Sequence, residues 1–336
     1  MTHQSDRNRE PLVYHSILSA DELARIIQAD YTFAPPLECS LFYSGVNDVY
    51  LVAAQKQKYI LRVSHVKRYG AFDESAYRFE LDLLGFLREK QLPVAYPLAR
   101  RNKDLLGTVD APEGKRHYAL FNFLEGNVPS SLKEEDGYIL GEVLAKFHLA
   151  MNGFSSPHPR FHLDEEFLIN EPMRLLRQFP QIPKEDIAFL EKLTESLRGS
   201  IQGLSRQTDE YGIIHGDFWW NNAHFADGKP ALFDFDFCGY GWRAYDISCL
   251  RGTAKAFEHS LSDEVVDSFF RGYQSVRKLT EPELAAVASF EKIRILWAFG
   301  LWATDAKSHG TKWFFEMFTW VFSNLKKMVE KEKIEK

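Results

Sequence analysis

Apolar and polar positions along the chain change period at a few places, and each change predicts an element. Ser19-Ala-Asp-Glu22 has the form of a capping box ahead of Leu23, Ile26 and Ile27, which predicts a short N-terminal helix. From Leu41 to about Val63 the period drops to two. Leu41-Phe-Tyr43, a turn over Ser44-Gly-Val-Asn-Asp48, Val49-Tyr-Leu-Val-Ala53, polar Gln55-Lys-Gln-Lys58 and Tyr59-Ile-Leu-Arg-Val63 read as three antiparallel strands. Tyr77, Leu81, Leu84 and Leu87 then recur at helical spacing within residues 73–90, and the Pro93 and Pro97 region closes that helix. A further strand is predicted from His117 to Leu124, ending at Glu125-Gly126.

Beyond Gly126 the pattern is mostly helical, most clearly from Tyr138 to His148, where His148 reads as a core histidine. Two helical stretches flank Pro180 and Pro183, and Thr280-Glu-Pro-Glu283 caps another that runs toward Trp302. The tail, Lys326 to Lys336, alternates Lys and Glu in the manner of a solvated helix end. The pattern predicts an α+β chain, with a sheet domain over residues 1–121 and a larger helical one over 122–336.

With 45% hydrophobic and 26% charged residues in 336, the composition is that of a folded globular protein. A formal charge of -6 argues against a protein built to neutralise nucleic-acid phosphates. Cys39, Cys238 and Cys249 have no metal-ligand spacing and are odd in number, which fits a reducing compartment. The polar start Met1–Glu10 lacks an apolar core, and the longest apolar run, Trp297–Ala303, falls far short of the ~20 residues of a membrane span. A soluble, cytoplasmic protein with no membrane partner is the expectation.

The stretch from Ile213 to Asp236 carries the chemistry: an apolar strand, a loop with Asp217 and Asn222, a hairpin turning at Asp227-Gly228, and a second strand ending in Asp234. Phosphoryl transfer needs a base or positioner for the acceptor hydroxyl and oxygen ligands that hold magnesium against nucleotide phosphates. One hairpin supplies both. Asp236 has two readings, on the same face as Asp234 or capping the turn toward Gly239.

His215-Gly-Asp217, four residues, Asn222 and then Asp234 match, in type and spacing, the loop of the aminoglycoside phosphotransferase and choline kinase family, which this chain resembles. The resemblance covers roughly residues 40–305 and implies a two-lobed protein-kinase-like fold, a small antiparallel-sheet lobe and a larger helical one. It makes Asp217 the catalytic Asp and Asn222 and Asp234 the magnesium ligands; His215 and Gly216 shape the loop, and Asp246 braces it. Upstream it makes Ser44, Gly45 and Asn47 part of a loop over the phosphates of ATP, and Arg62 the phosphate cation, held by Glu80. Arg stands at 62 where many kinases carry Lys, and its fork suits phosphate. Phe121, Asn122 and Phe123 would bind the adenine edge through their backbone.

The implied activity is transfer of the γ-phosphoryl group from ATP, with Mg2+, to a small-molecule hydroxyl: an aminoglycoside-like antibiotic, an amino alcohol, homoserine or a sugar. Protein kinases usually carry a Lys just after the catalytic Asp, whereas Phe218-Trp-Trp220 follows Asp217, which disfavours a protein acceptor. Trp219 and Trp220 either wall the acceptor site or pack beneath the loop, and Phe218 belongs to the core. Arg294, Trp297 and Asp305 share a helical face that either lines the acceptor site or is core. Two further readings stand beside this one: a protein Ser/Thr kinase of the same fold, and a non-catalytic, spore-coat-like structural or binding protein. Retention of Asp217, Asn222 and Asp234 together speaks against the last.

Overall fold

The computed structural model describes residues 12–66, 68–70, 72–207, 209–257 and 261–334. The polar start Met1–Glu10 and the last two residues of the Lys/Glu tail lie outside them. The chain divides into two compact units, one of residues 1–68 and 98–122, the other of residues 69–97 and 123–336.

In the first unit, α1 (Ala20–Asp30) is capped by Ser19, whose Oγ accepts from the Glu22 N–H at 3.4 Å. Five strands follow: β1 (Leu37–Ser44), β2 (Asn47–Ala54), β3 (Gln57–Ser64), β4 (Gly107–Ala111) and β5 (Gly114–Asn122). They form one antiparallel sheet in the order β1-β2-β3-β5-β4. Alternation sends Tyr50 and Val52 of β2, Leu61 and Val63 of β3, and Tyr118 and Leu120 of β5 to one face, where Leu23 and Ile27 of α1 close the core. The first connection is shorter than the expected five-residue turn. β1 runs through Ser44 and β2 opens at Asn47, which leaves Gly45-Val46 as the loop and buries Asn47 and Asp48.

The second unit holds α2 (Glu74–Glu89), with Asp73 Oδ1 accepting from the Ala76 N–H at 3.0 Å, and α3 (Glu134–Met151). After a two-residue strand β6 (His162–Leu163) come a π-helical turn (Glu166–Asn170), α4 (Glu171–Leu176) and α5 (Lys184–Ile201). Strand β7 (Tyr211–Ile214), a 3-10 turn (Trp220–Asn222), the hairpin β8 (Ala223–Ala226) and β9 (Lys229–Leu232), and β10 (Gly239–Trp242) follow. The unit ends in α6 (Arg243–Ala256), α7 (Asp263–Val276), α8 (Glu281–His309) and α9 (Thr311–Ile334). β10 pairs in parallel with β6 and antiparallel with β7.

Helices α3 and α7 pack closely because Gly272 leaves room for the α3 backbone; a Cβ there would stand 2.0 Å from the Tyr138 carbonyl oxygen. Thr280 and Glu283 form the expected capping box, but α8 continues past Trp302 to His309. No helix among the described residues is long and apolar enough to cross a membrane.

Candidate active site

The loop between β7 and the hairpin is held from below by a buried carboxylate. Asp246, in the first turn of α6, accepts from the His215 N–H at 2.6 Å through Oδ2 and from the Gly216 N–H at 2.7 Å through Oδ1. His148 on α3 completes the brace, with Nε2 3.0 Å from Asp246 Oδ2 and Nδ1 2.8 Å from the Tyr273 hydroxyl. Burial pushes the His148 pKa down to about 4, against the pull of Asp246. It is therefore the neutral imidazole, donating from Nε2 and accepting the Tyr273 proton at Nδ1. Gly216 has φ of 80°, and a Cβ there would lie 2.1 Å from the Phe237 carbonyl oxygen, so only glycine fits beneath Asp217.

His215, 1% exposed, links the two halves of the site. Its Nδ1 accepts from the Asp217 N–H at 3.3 Å and its Nε2 donates to the Phe233 carbonyl at 3.1 Å, next to Asp234. Asp227 and Gly228, at φ of 49° and 73°, make the two-residue turn of the hairpin. The β8–β9 register ends at Ala223 opposite Leu232, and the Phe233 N–H reaches the Asn222 carbonyl at 3.0 Å one position on. Asn222 Nδ2 then donates to the Asp217 carbonyl at 2.9 Å and to Asp217 Oδ2 at 3.2 Å. The hairpin thus sets Asn222 beside Asp217 and next to the segment that carries Asp234. That segment is not strand: β9 stops at Leu232, and Asp234 stands exposed beyond it at φ of 63°, a left-handed conformation that Asp tolerates.

The other oxygen of Asp217 is taken by Arg294, from the middle of α8, whose Nη2 donates to Oδ1. Arg294 is 8% exposed, its Nε donates to Thr253 Oγ1 at 3.3 Å, and its guanidinium lies 4.3 Å from the Trp297 ring centroid. Burial opposes the charge, but its acidic neighbours, Asp217 first, outweigh burial and hold its pKa above the ordinary arginine value. The Tyr245 hydroxyl is close enough to interact with the guanidinium, yet neither it nor Arg294 Nη1 makes a well-formed hydrogen bond. From sequence alone, the face that carries Arg294 could either line the acceptor site or be core. The signal for its actual contact was a charge among Ile293, Ile295 and Leu296, which burial obliges to find a counter-charge.

Trp297, grouped with Arg294 on that face, is a core residue at 1% exposure, edge-on to Tyr69 and Phe237. Asp305 lies further along α8 and is half-buried. Asp236 sits in the turn before β10, 2% exposed, with its carbonyl accepting from Arg160 Nη2. The segment at Asp236 is a turn and not a strand, so strand alternation does not relate it to Asp234. Phe218 is buried against Phe269, as expected; Trp220 is buried and Trp219 half-buried, their rings 5.6 Å apart.

The residues assigned to nucleotide fall in both units. In the first, Ser44 ends β1 and its Oγ donates to Asp48 Oδ1 at 2.7 Å, the Gly45 N–H meets the Asn47 carbonyl at 3.0 Å, and Asn47 is buried. Arg62 on β3 is half-buried, 4.9 Å from the centroid of the Phe121 ring on β5, where Asn122 is the last paired residue. In the second, Glu80 is wholly buried on α2 and Phe123 begins the segment after the sheet. A charge cluster that sequence reasoning missed, His15, Asp48, His65 and Arg116, also lies in the first unit.

A five-stranded antiparallel sheet, a helical unit and a loop of this construction define a protein-kinase-like fold. Its nearest class is set by comparison: the profile of the phosphotransferase enzyme family matches residues 39–288, and the chain belongs to that family. Amicoumacin kinase of Bacillus subtilis is 26% identical over 266 residues, 76% of this chain and 76% of that one. A homoserine kinase of Afipia carboxidovorans is 28% identical over 82% of this chain and 81% of its own. The solved structure of an amicoumacin kinase in complex with AMP-PNP, Ca2+ and Ami superposes with a TM-score of 0.73 at 20% identity, over 89% of this chain and 93% of that one. Amicoumacin kinase and homoserine kinase, two of the chain's relatives, are small-molecule kinases.

Proposed function

We propose that this protein transfers the γ-phosphoryl group of ATP to a hydroxyl of a small molecule. The observation that carries the proposal is Asp217, with one carboxylate oxygen held by Asn222 Nδ2 and the other by Arg294 Nη2. A carboxylate offers about four lone-pair sites, so both anchors leave room for an acceptor hydroxyl. Held at two points, Asp217 orients that hydroxyl and receives its proton as the new O–P bond forms and the bond to the ADP oxygen breaks. Phosphoryl transfer through a loose transition state asks mainly for positioning and for fixed charge, which these residues supply. Arg294 is a positioning residue in this scheme, and it brings to Asp217 a cation that the chain lacks at Trp219.

The donor set suits Mg2+. Asn222 turns its amide nitrogen to Asp217, which leaves its oxygen for a hard cation, and Asp234 presents an exposed carboxylate on the adjoining segment. Bound there with the nucleotide, Mg2+ would neutralise charge on the phosphate oxygens. Ser44, Gly45, Asn47, Arg62 and Glu80 are the residues proposed for the phosphates, and Phe121, Asn122 and Phe123 for the base. The relatives supply the acceptor classes to try first, an amino-acid alcohol and an amicoumacin-like antibiotic, followed by aminoglycosides, amino alcohols and sugars.

The test is ADP release from MgATP by the purified protein across that panel, with Asp217→Ala alongside. Release that requires one acceptor and disappears in the variant is expected. Release that is equal in the variant would remove Asp217 from the chemistry.

A further inference from the structure

Three side chains from separate segments of the first unit converge. His15 comes from the stretch before α1, Asp48 from β2, and His65 from the residue after β3. Asp48 is 0% exposed, while the His15 and His65 side chains keep 22% and 15% of their surface in solvent. His15 Nε2 stands 3.0 Å from each Asp48 oxygen, and His65 Nε2 stands 3.4 Å from Oδ1. The two imidazoles lie with centroids 3.9 Å apart, tilted by 34°. The three ligand atoms all fall within 4.8 Å of one another, and among the described residues this is the one group of His, Cys, Asp or Glu that does so.

Two nitrogens crowd one carboxylate oxygen, His15 Nε2 at 3.0 Å, within the roughly 2.7–3.2 Å that N–H···O contacts favour, and His65 Nε2 at 3.4 Å, beyond it. They make a good set of ligands. A tetrahedral ion bound at about 2.0–2.2 Å puts its ligand atoms about 3.3–3.6 Å apart, which brackets the His65 contact and lies just above the His15 contact. Two imidazoles and a carboxylate, with a fourth position open to water, are donors that suit Zn2+ and similar borderline dications better than Mg2+. The outer contacts fix the carboxylate: Arg116 Nη2 holds Oδ2 at 2.6 Å, and Ser44 Oγ donates to Oδ1 at 2.7 Å. The Arg116 charge would oppose a cation by itself, but Glu113 lies 3.6 Å from its Nη1, itself buried, and offsets it.

We propose that His15, Asp48 and His65 form a binding site for a Zn2+-type dication, which fastens the segment before α1 to the central strands of the sheet. The proposal does not rest on the phosphotransferase reading, since none of its three ligands is assigned to that chemistry, and the two share only Ser44, which donates to Asp48.

The experiment uses the full chain, stripped with a chelator and titrated with Zn2+ against a competing metal indicator. His15→Ala, His65→Ala and the double variant are compared with His309→Ala, which alters an exposed histidine elsewhere. Wild type and His309→Ala are expected to take up one equivalent that an excess of Mg2+ does not displace. Each single variant should bind at least about tenfold more weakly, and the double variant should lose the site. Co2+ in place of Zn2+ should give the strong visible absorption of a tetrahedral site in wild type alone among wild type and the double variant. Melting curves without metal establish that the variants fold. No uptake by wild type, or uptake that the double variant retains, would overturn the proposal and leave the three side chains as a hydrogen-bonded tie.

Discussion

Replacing Arg294 with Met tests the two-point hold on Asp217 while keeping an unbranched chain against Trp297. Removing one partner of a buried ion pair costs about 3–5 kcal/mol when the other charge is left stranded. Here Asp217 keeps 17% of its side-chain surface in solvent, so water takes over part of the pairing and the lower end, about 3 kcal/mol, applies. For 336 residues that corresponds to a fall in melting temperature of roughly 4 °C. The effect on turnover should be larger than this stability change suggests, because the remaining contact, Asn222 Nδ2 at 3.2 Å, holds only one oxygen. Loss of a preorganised electrostatic partner typically lowers kcat by about 10²–10³. KM for ATP should be little changed, since none of the residues proposed for the nucleotide touches Arg294. Arg294→Lys keeps the charge but loses the fork that reaches Thr253 and Asp217 together, and should fall between. The assay is steady-state ADP release at saturating acceptor, with melting curves for each variant. A kcat for Arg294→Met within about threefold of wild type would refute the reasoning.

Gly216→Ala should abolish activity and lower stability, because its φ of 80° disfavours a side chain and the Phe237 carbonyl occupies the Cβ position; a folded, active variant by circular dichroism and ADP release would contradict this. His148 is held neutral in the folded protein down to about pH 4, while an unfolded histidine takes a proton near 6.5, so the unfolded state binds more protons between those values. Its contribution is therefore full above about pH 6.5 and is lost as pH falls toward 4, by about 3 kcal/mol at most, and urea midpoints across that range should drop accordingly. Below about pH 4 the Asp48 carboxyl, which its His65, Ser44, Arg116 and His15 contacts hold low against burial, adds to the loss. Asp234→Ala should remove the rise in melting temperature that MgATP gives wild type, while Asp217→Ala keeps it; the reverse pattern would exchange their roles.

The sequence was most informative where the partners are close along the chain. Asp217, Asn222 and the Asp227-Gly228 turn lie within one hairpin, so spacing and turn chemistry alone set their relation. The brace from Asp246 was also legible, through the resemblance that marks its place. What spacing hides is pairing across distance. Arg294 meets Asp217 from 77 residues away, and Arg116 meets Asp48 from 68; a lone charge in an apolar run hinted at the first, but Arg116 stands in the polar stretch Glu113–His117 and gave no hint. Faces were harder than elements. Arg294 and Trp297 share a side of α8, yet the first reaches a carboxylate and the second fills core, because α8 is buried along most of its length. Ends were harder still: β9 stops two residues before Asp234, where the backbone turns left-handed, a change that no periodicity announces.

The most direct measurement is the fate of the γ-phosphoryl group itself. Wild type and Asp217→Ala would be mixed with γ-labelled MgATP and the acceptor that gives ADP release, and the label followed by mass spectrometry and phosphorus NMR. The account predicts a phosphate ester on the acceptor hydroxyl with wild type and none with the variant, which still binds nucleotide. Label recovered on protein, or an ester formed equally by both, would contradict it.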